Sequence, residues 1–259
     1  MQKYGGSLVH RSCDAYGVLE VIDHADMRSL HFGTPHLQSR MRRGNPIELM
    51  VAYTRYMLAA LLFLDNNPGR ILLLGLGGGS LAKFLLLHYP HCRIQVVETR
   101  ATVIDLAHSY FHLPHDPRLQ IHISDAGLFL KEHSRLNYDL ILVDIFDAWG
   151  PSETLANEDF FCACRAVLRE TGIASVNLWY HSKADQARAL DRLNTAFDRH
   201  VLNLPVPDKD NHIVLAFARS VPSLALQELR QKVRNLEEQF AIGFPSVLRA
   251  LRRHNSDFL

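Results

Sequence analysis

Residues 71–82 read ILLLGLGGGSLA: four apolar residues, then glycine at 75, 77, 78 and 79, then an apolar stretch with helical spacing. The next apolar run, IQVVE, ends in an acid, Glu98. This pattern predicts a strand, a tight glycine turn, a helix and a second strand that finishes in a carboxylate. Glycines let the backbone turn sharply and approach a ligand, and an acid at the second strand end can accept hydrogen bonds from both hydroxyls of a ribose. A chain that opens its main unit this way folds as a parallel α/β protein, and the ligand it suggests contains adenosine.

The spacing narrows that ligand. The dinucleotide fingerprint G-x-G-x-x-G needs a glycine five residues after the first, and counting from Gly75 that place holds Ser80. The phosphate-binding P-loop also fails, because no Gly-Lys-Ser/Thr follows. What remains is Gly75, Gly77 and Gly79 in a G-x-G-x-G arrangement with Gly78 between the last two. It suits a nucleoside without a pyrophosphate, such as S-adenosylmethionine or its decarboxylated form.

Composition excludes several classes. The 259 residues carry a net charge of +1, so no global field draws nucleic acid or an anionic membrane. The N-terminal MQKYGGSLVHRSC lacks the apolar core of a signal peptide, and the apolar run 57–64 is too short to span a bilayer. A cytoplasmic protein with reduced thiols is therefore expected. The four cysteines form no C-x-x-C pair. His108 and His112 have helical spacing, but nothing nearby completes a metal site, and no metal is expected.

Three parts are expected along the chain. Residues 1–45 form a small N-terminal β-hairpin region, with apolar runs at 16–22 and 27–32 around the polar DHAD turn. Residues 46–220 form the nucleoside-binding catalytic domain. Residues 221–259 are amphipathic helix packed on it. A helix over 46–64 is expected to open the second part, capped by Asn45 with Pro46 at its first position. Strands are expected at 70–76, 93–98, 119–123, 139–144, 172–178, 199–205 and 212–218, with helices between the first six and the last two strands antiparallel. Such alternation implies an α/β fold: a doubly wound, seven-stranded, mostly parallel Rossmann-like sheet covered on both faces. Ligands of such sheets bind outside the carboxyl ends of the strands. The acids there are Glu98, Asp125, and Asp144 with Asp147.

Here the residues resemble a family. YDLILVDIFDAWGPSETLANEDFFCACRAVL over 138–168 is similar to a segment of the spermidine synthases, and GLGGG, VET and SDAGLFL extend the likeness over roughly residues 15–220. The resemblance implies that Gly75, Gly77, Gly78 and Gly79 line the donor, Glu98 holds its ribose, and Asp125 and Ala126 meet the adenine. It implies Asp144 as the carboxylate that deprotonates the attacking amine, Asp147 as its partner in a gate loop, and Tyr53 as the residue that orients the amine. Gln38 is matched to a donor-contacting glutamine. Trp149, in the same loop as Asp147, is read either as a cover over the acceptor pocket or as a packed loop aromatic. The resemblance also implies a homodimer.

Departures from the family pattern bear on the chemistry. The family's glycine turn carries an aspartate where this chain has Gly78, and that acid neutralises the amine of the decarboxylated donor. Losing a buried charge-assisted partner costs about 2–5 kcal/mol. Tyr53 is followed by Thr54 and Arg55, so an acid that could hold a polyamine is missing. Ile145 and Phe146 make the gate apolar, and VPDKDNHIVL replaces a tyrosine-bearing loop. The version LGLGGGSL, with Asn177 and Asn211, is similar to spermidine synthase-like methyltransferases. The expectation is a transferase using an S-adenosyl donor, with methyl transfer from S-adenosylmethionine and Asp144 as base. The alternative is polyamine aminopropyl transfer from decarboxylated S-adenosylmethionine, and a second is a non-catalytic nucleoside-binding scaffold. The acceptor, a small amine or another molecule, is left open.

Overall fold

A computed structural model gives the fold, and it describes residues 2–133, 136–148, 150, 152–180 and 182–255. Two sheets organise it. The first is antiparallel, in the order β1 (Gln2–Lys3), β2 (Gly6–Asp14), β3 (Gly17–His24), β4 (Met27–His31) and β5 (Leu37–Arg42). The expected hairpin is its centre, with Ala25 at φ 48° in the turn between β3 and β4. The element is larger than a hairpin because β2, whose GSLVHRSCD offers no apolar run, pairs along β3 from Ser7 to Asp14. One face, Leu19, Val21, Leu30, Phe32 and Met41, packs on Val103, Leu106 and Phe111 of the second unit.

The second sheet has seven strands in the order β11-β12-β10-β9-β6-β7-β8. These are β6 (Arg70–Leu74), β7 (Arg93–Glu98), β8 (Leu119–Ile123), β9 (Tyr138–Val143), β10 (Leu168–Trp179), β11 (Val201–Pro205) and β12 (Asn211–Phe217). Strands β6 to β10 are mutually parallel, and β12 runs antiparallel between β10 and β11. The chain moves outward from β6 to β7 and β8, then returns to lay β9 on the other side of β6. The carboxyl ends of β6 and β9 are thus the switch point where such sheets hold ligands.

Helices α2 (Ser80–His88), α3 (Ala101–Phe111), α4 (Ala126–Glu132), α5 (Glu158–Ala166) and α6 (Lys183–Ala196) make the connections. Helices α4, α5 and α6 cover one face. Helix α2 and the C-terminal α7 (Leu226–Phe240) and α8 (Phe244–His254) cover the other. The central strands are therefore largely apolar, as β6 shows with Ile71, Leu72, Leu73 and Leu74 all buried.

Two expected elements differ. The helix over 46–64 is α1 (Ala52–Met57) running into a 3₁₀ turn over Leu58–Phe63. Asn45 does not cap it; its backbone bridges to Arg42 at the end of the first sheet. All six residues of the 3₁₀ turn are buried, so tertiary packing rather than an amphipathic helix sets its shape. The helix over 154–169 is a 3₁₀ turn at Glu153–Ala156 and then α5, capped by the Asn157 side chain. It stops at Ala166 because β10 already begins at Leu168 and pairs with Tyr138.

Candidate active site

At the switch point two strand ends touch. Gly75 follows β6 at φ +95°, and a Cβ on it would lie 2.1 Å from the Asp144 carbonyl oxygen. The close approach lets Asp144 N–H donate to the Leu74 carbonyl at 2.8 Å, which sets the acid at the mouth of the glycine turn. Gly77 at φ +52° and Gly79 at φ +70° complete a backbone that side-chain-bearing residues rarely adopt.

Asp144 is the centre of a polar chain. Tyr53 Oη donates to its Oδ2 at 2.9 Å, and Asn177 Nδ2 donates to its Oδ1 at 2.8 Å. Asn211 Nδ2 in turn donates to Asn177 Oδ1 at 3.0 Å. Asn177 and Trp179 alternate onto one face of β10, and Asn211 is the cross-strand partner of Trp179. Although a cleft reaches Asp144, its carboxyl sits in protein, and burial pushes its pKa up against the opposing pull of Asn177 and Tyr53. The Tyr53 hydroxyl is pushed well above its usual value by burial and by the Asp144 charge, so it stays a donor. A carboxylate with raised proton affinity and two fixed donors is suited to taking a proton.

The cleft beside Asp144 is lined by Gln38, Ser39, Tyr53, Gly75, Gly77 and Ser80, among others. Gln38 and Ser39 arrive on β5, so the N-terminal sheet supplies one wall. Gln38 Nε2 donates to the Asp147 carbonyl at 3.2 Å. Asp147 itself is exposed, and its carboxylate accepts from Gly150 N–H at 2.9 Å, which closes the loop after β9. Trp149 lies outside the described residues. Beyond Trp179 an aromatic group continues outward, with His36 at 5.7 Å and Phe146 at 6.2 Å between ring centroids.

Glu98 ends β7 with both oxygens engaged by backbone: Oε2 accepts from Leu76 N–H at 3.1 Å and Oε1 from Arg100 N–H at 3.0 Å. Burial raises its pKa, opposed by those bonds and by the Arg100 charge. Asp125 is exposed and caps α4, with Oδ1 accepting from Leu128 N–H at 2.9 Å and Oδ2 from Thr154 Oγ1 at 3.3 Å. Ala126, the first residue of that helix, is buried.

Gly78 stands apart from its neighbours. Its φ is ordinary, but a Cβ there would lie 2.6 Å from Ser39 Oγ and 2.9 Å from the Phe111 ring. Ser39, Phe111 and the amide ladder behind Asp144 are brought together by long-range packing. Only Asn177 and Asn211 stood out in the sequence, through their likeness to the methyltransferase branch. Among the described residues no group of histidine, cysteine and acids could hold a metal. A separate depression between His108, His115 and Asp116 opens at the amino end of β8, away from this cleft.

A doubly wound sheet with a glycine turn, an acid at the end of the next strand and a carboxylate held by two side-chain donors at its switch point is the arrangement of a transferase that draws on an S-adenosyl-derived donor. The family profile of the spermine/spermidine synthase domain matches residues 50–207. The chain is 34% identical over 236 residues to a polyamine aminopropyltransferase of Neisseria meningitidis serogroup B, covering 91% of this chain and 89% of the relative. A probable spermidine synthase from Corynebacterium glutamicum shares the fold at TM-score 0.73 and 23% identity, over 90% of this chain and 87% of its own. Human methyltransferase-like protein 13, solved with SAH, shares it at TM-score 0.67 and 24% identity, over 74% and 93%. This chain belongs to the spermine/spermidine synthase family.

Proposed function

We propose that the protein transfers the aminopropyl group of decarboxylated S-adenosylmethionine to a small amine, with Asp144 as the base. The observation that carries the amine chemistry is the buried Asp144 carboxylate, held by Tyr53 and Asn177 at the mouth of the glycine turn. Support for the aminopropyl group comes from relatives about one third identical across nine tenths of the chain, which bear that activity in their names. Human methyltransferase-like protein 13, at 24% identity, lends the expectation of methyl transfer only a likeness of fold.

On this reading the backbone of Gly75, Gly77, Gly78 and Gly79 lines the donor, with Gln38 on the opposite wall. Glu98 accepts from the ribose hydroxyls. Each Asp125 oxygen already accepts one bond inside the protein, so the adenine amine would meet a remaining lone pair there, beside the backbone around Ala126. The acceptor nitrogen attacks the carbon beside the sulfonium. The new C–N bond forms as the C–S bond breaks, its electron pair leaving on sulfur, and 5′-methylthioadenosine departs. The surplus proton on the new ammonium passes to Asp144. Alignment of the two substrates lowers most of the barrier, and the base lowers the rest. Asp147 shapes the loop over the cleft.

The niche at Gly78 favours a second reading, methyl transfer from S-adenosylmethionine to the same kind of acceptor. Ser39 and Phe111 fill the space where an acid at position 78 would project. A donor tail bearing a carboxylate then meets no like charge from the turn. Mass analysis of products decides between the two, with each donor supplied beside a panel of mono- and diamines. Aminopropylated amine with 5′-methylthioadenosine supports the first reading. Methylated amine with S-adenosylhomocysteine replaces it with the second. Donor binding without any product leaves the scaffold alternative.

A further inference from the structure

Arg100 is a buried cation outside the cleft, and it joins the donor site to the N-terminal sheet. Its backbone N–H fixes one oxygen of Glu98. Its side chain grips the β2–β3 turn. Nη2 and Nε donate to the two oxygens of Asp14 at 2.8 and 3.1 Å, and Nη2 also donates to the Gly17 carbonyl at 3.0 Å. The guanidinium lies over the Phe32 ring at 4.6 Å, and the Tyr16 ring stands 5.8 Å away on the other strand end. A forked arginine–carboxylate pair resists rotation, unlike a single point contact.

We infer that Arg100 is a positioning residue for the donor nucleoside, through which the Asp14 hairpin of the N-terminal sheet aims Glu98 and keeps a positive charge beside it. The inference rests on the reading of Glu98 as the ribose acceptor. Backbone N–H groups of Leu76 and Arg100 already take one lone pair on each Glu98 oxygen. A ribose must therefore meet the remaining lone pairs at fixed angles, and a shift of the Arg100 backbone turns the carboxylate with it. The charged neighbour acting on Glu98 is Arg100, whose own charge is partly offset by Asp14.

The test is calorimetric binding of 5′-methylthioadenosine between pH 5 and 8. Wild type is expected to lose affinity toward acid as Glu98 takes a proton, and Glu98→Gln to bind weakly with no such loss. Arg100→Gln should weaken binding roughly threefold to thirtyfold at pH 7 and start the acid loss at higher pH. Arg100→Lys should restore the onset of that loss without restoring full affinity, since it keeps the charge and loses the fork. Asp14→Asn should also weaken binding at pH 7 but start the acid loss at lower pH, because the guanidinium charge is no longer offset. Asp14 lies on the other sheet, so it serves if Arg100→Gln does not fold. Shifts of both variants in the same direction, or Arg100→Gln binding as tightly as wild type, overturn the inference while the Glu98 reading stands. Wild type failing to bind, or Glu98→Gln binding like wild type, overturns the Glu98 reading and the inference with it.

Discussion

Replacing Tyr53 by phenylalanine removes one hydroxyl and leaves the ring, which packs among core residues. The lost group is one of two side-chain donors to the buried Asp144 carboxylate, at 2.9 Å. A hydrogen bond to a charged group contributes about 1.5–3 kcal/mol, a factor of roughly 10 to 150 in an equilibrium. The bond stabilises the ionised carboxylate, so its loss makes Asp144 hold its proton more tightly. A base must be deprotonated to act. The acid limb of kcat/KM for the amine should therefore move to higher pH, with a loss of roughly 10- to 150-fold below the wild-type limb. On the alkaline plateau the carboxylate is ionised again and slightly more basic, so the loss should shrink to a few-fold. Initial rates at fixed saturating donor, followed as nucleoside product from pH 5.5 to 9.5, separate the two regimes. An equal loss at every pH would place Tyr53 on the substrate rather than on Asp144 and refute this account. So would full activity at low pH.

Asp144→Asn should lose roughly 10²–10⁴-fold in kcat, yet its thermal midpoint at pH 8 should equal or exceed wild type. The sign follows from the raised folded-state pKa of Asp144: the native protein binds the extra proton, so wild-type stability falls as pH rises from the ordinary carboxylate value through the folded value. A lower midpoint by scanning calorimetry would contradict it. Lys83 gives the opposite slope, since burial lowers its pKa to about 8, and wild-type stability should rise between pH 8 and 10.5. Lys83→Met should flatten that rise in thermal scans at several pH values. Gly75→Ala drives a Cβ into the Asp144 carbonyl at 2.1 Å and should abolish donor binding by calorimetry. Gly78→Asp should fail to create a preference for the decarboxylated donor, because its Cβ meets Ser39 and the buried Phe111 ring. A reversal of donor preference in competition binding would show that the niche can open.

The parallel half of the main sheet was legible because its strands are buried on both faces and read as continuous apolar runs. Strands β7 and β8 fall at the expected residues, and β6 and β9 within two. Strand β2 was not legible, since a strand covered on one side and rich in polar residues carries no such run. The segment 46–64 was misread because helical spacing in a wholly buried stretch says little about which turn type the packing selects. In the site, Asp144 and Glu98 announced themselves as acids at strand ends. Their surroundings did not. Asp14 lies 86 residues from Arg100, and Ser39 lies 41 from Ser80, so those contacts exist only once the two sheets dock. The same docking shows what Gly78 alone could not: its missing side chain leaves no hole, because two neighbours have moved into the space.

The switch point at Asp144 has a consequence for how such a protein can change. Apart from Gln38 on β5, the residues read as donor recognition, from the glycine turn to Glu98 and Ala126, follow β6, β7 and β8. The amide and aromatic groups on the other side of Asp144, Asn177, Trp179 and Asn211, hang from β10 and β12, and β9 with its acid is the seam between the two sets. The two halves are joined through β9 by the backbone ladder of the sheet, and their polar side chains meet at Asp144. Mutations can therefore accumulate on the antiparallel margin and retune which molecule is modified, while the machinery that holds the donor is inherited intact. A lineage built on this seam is free to diversify its acceptors one edge at a time.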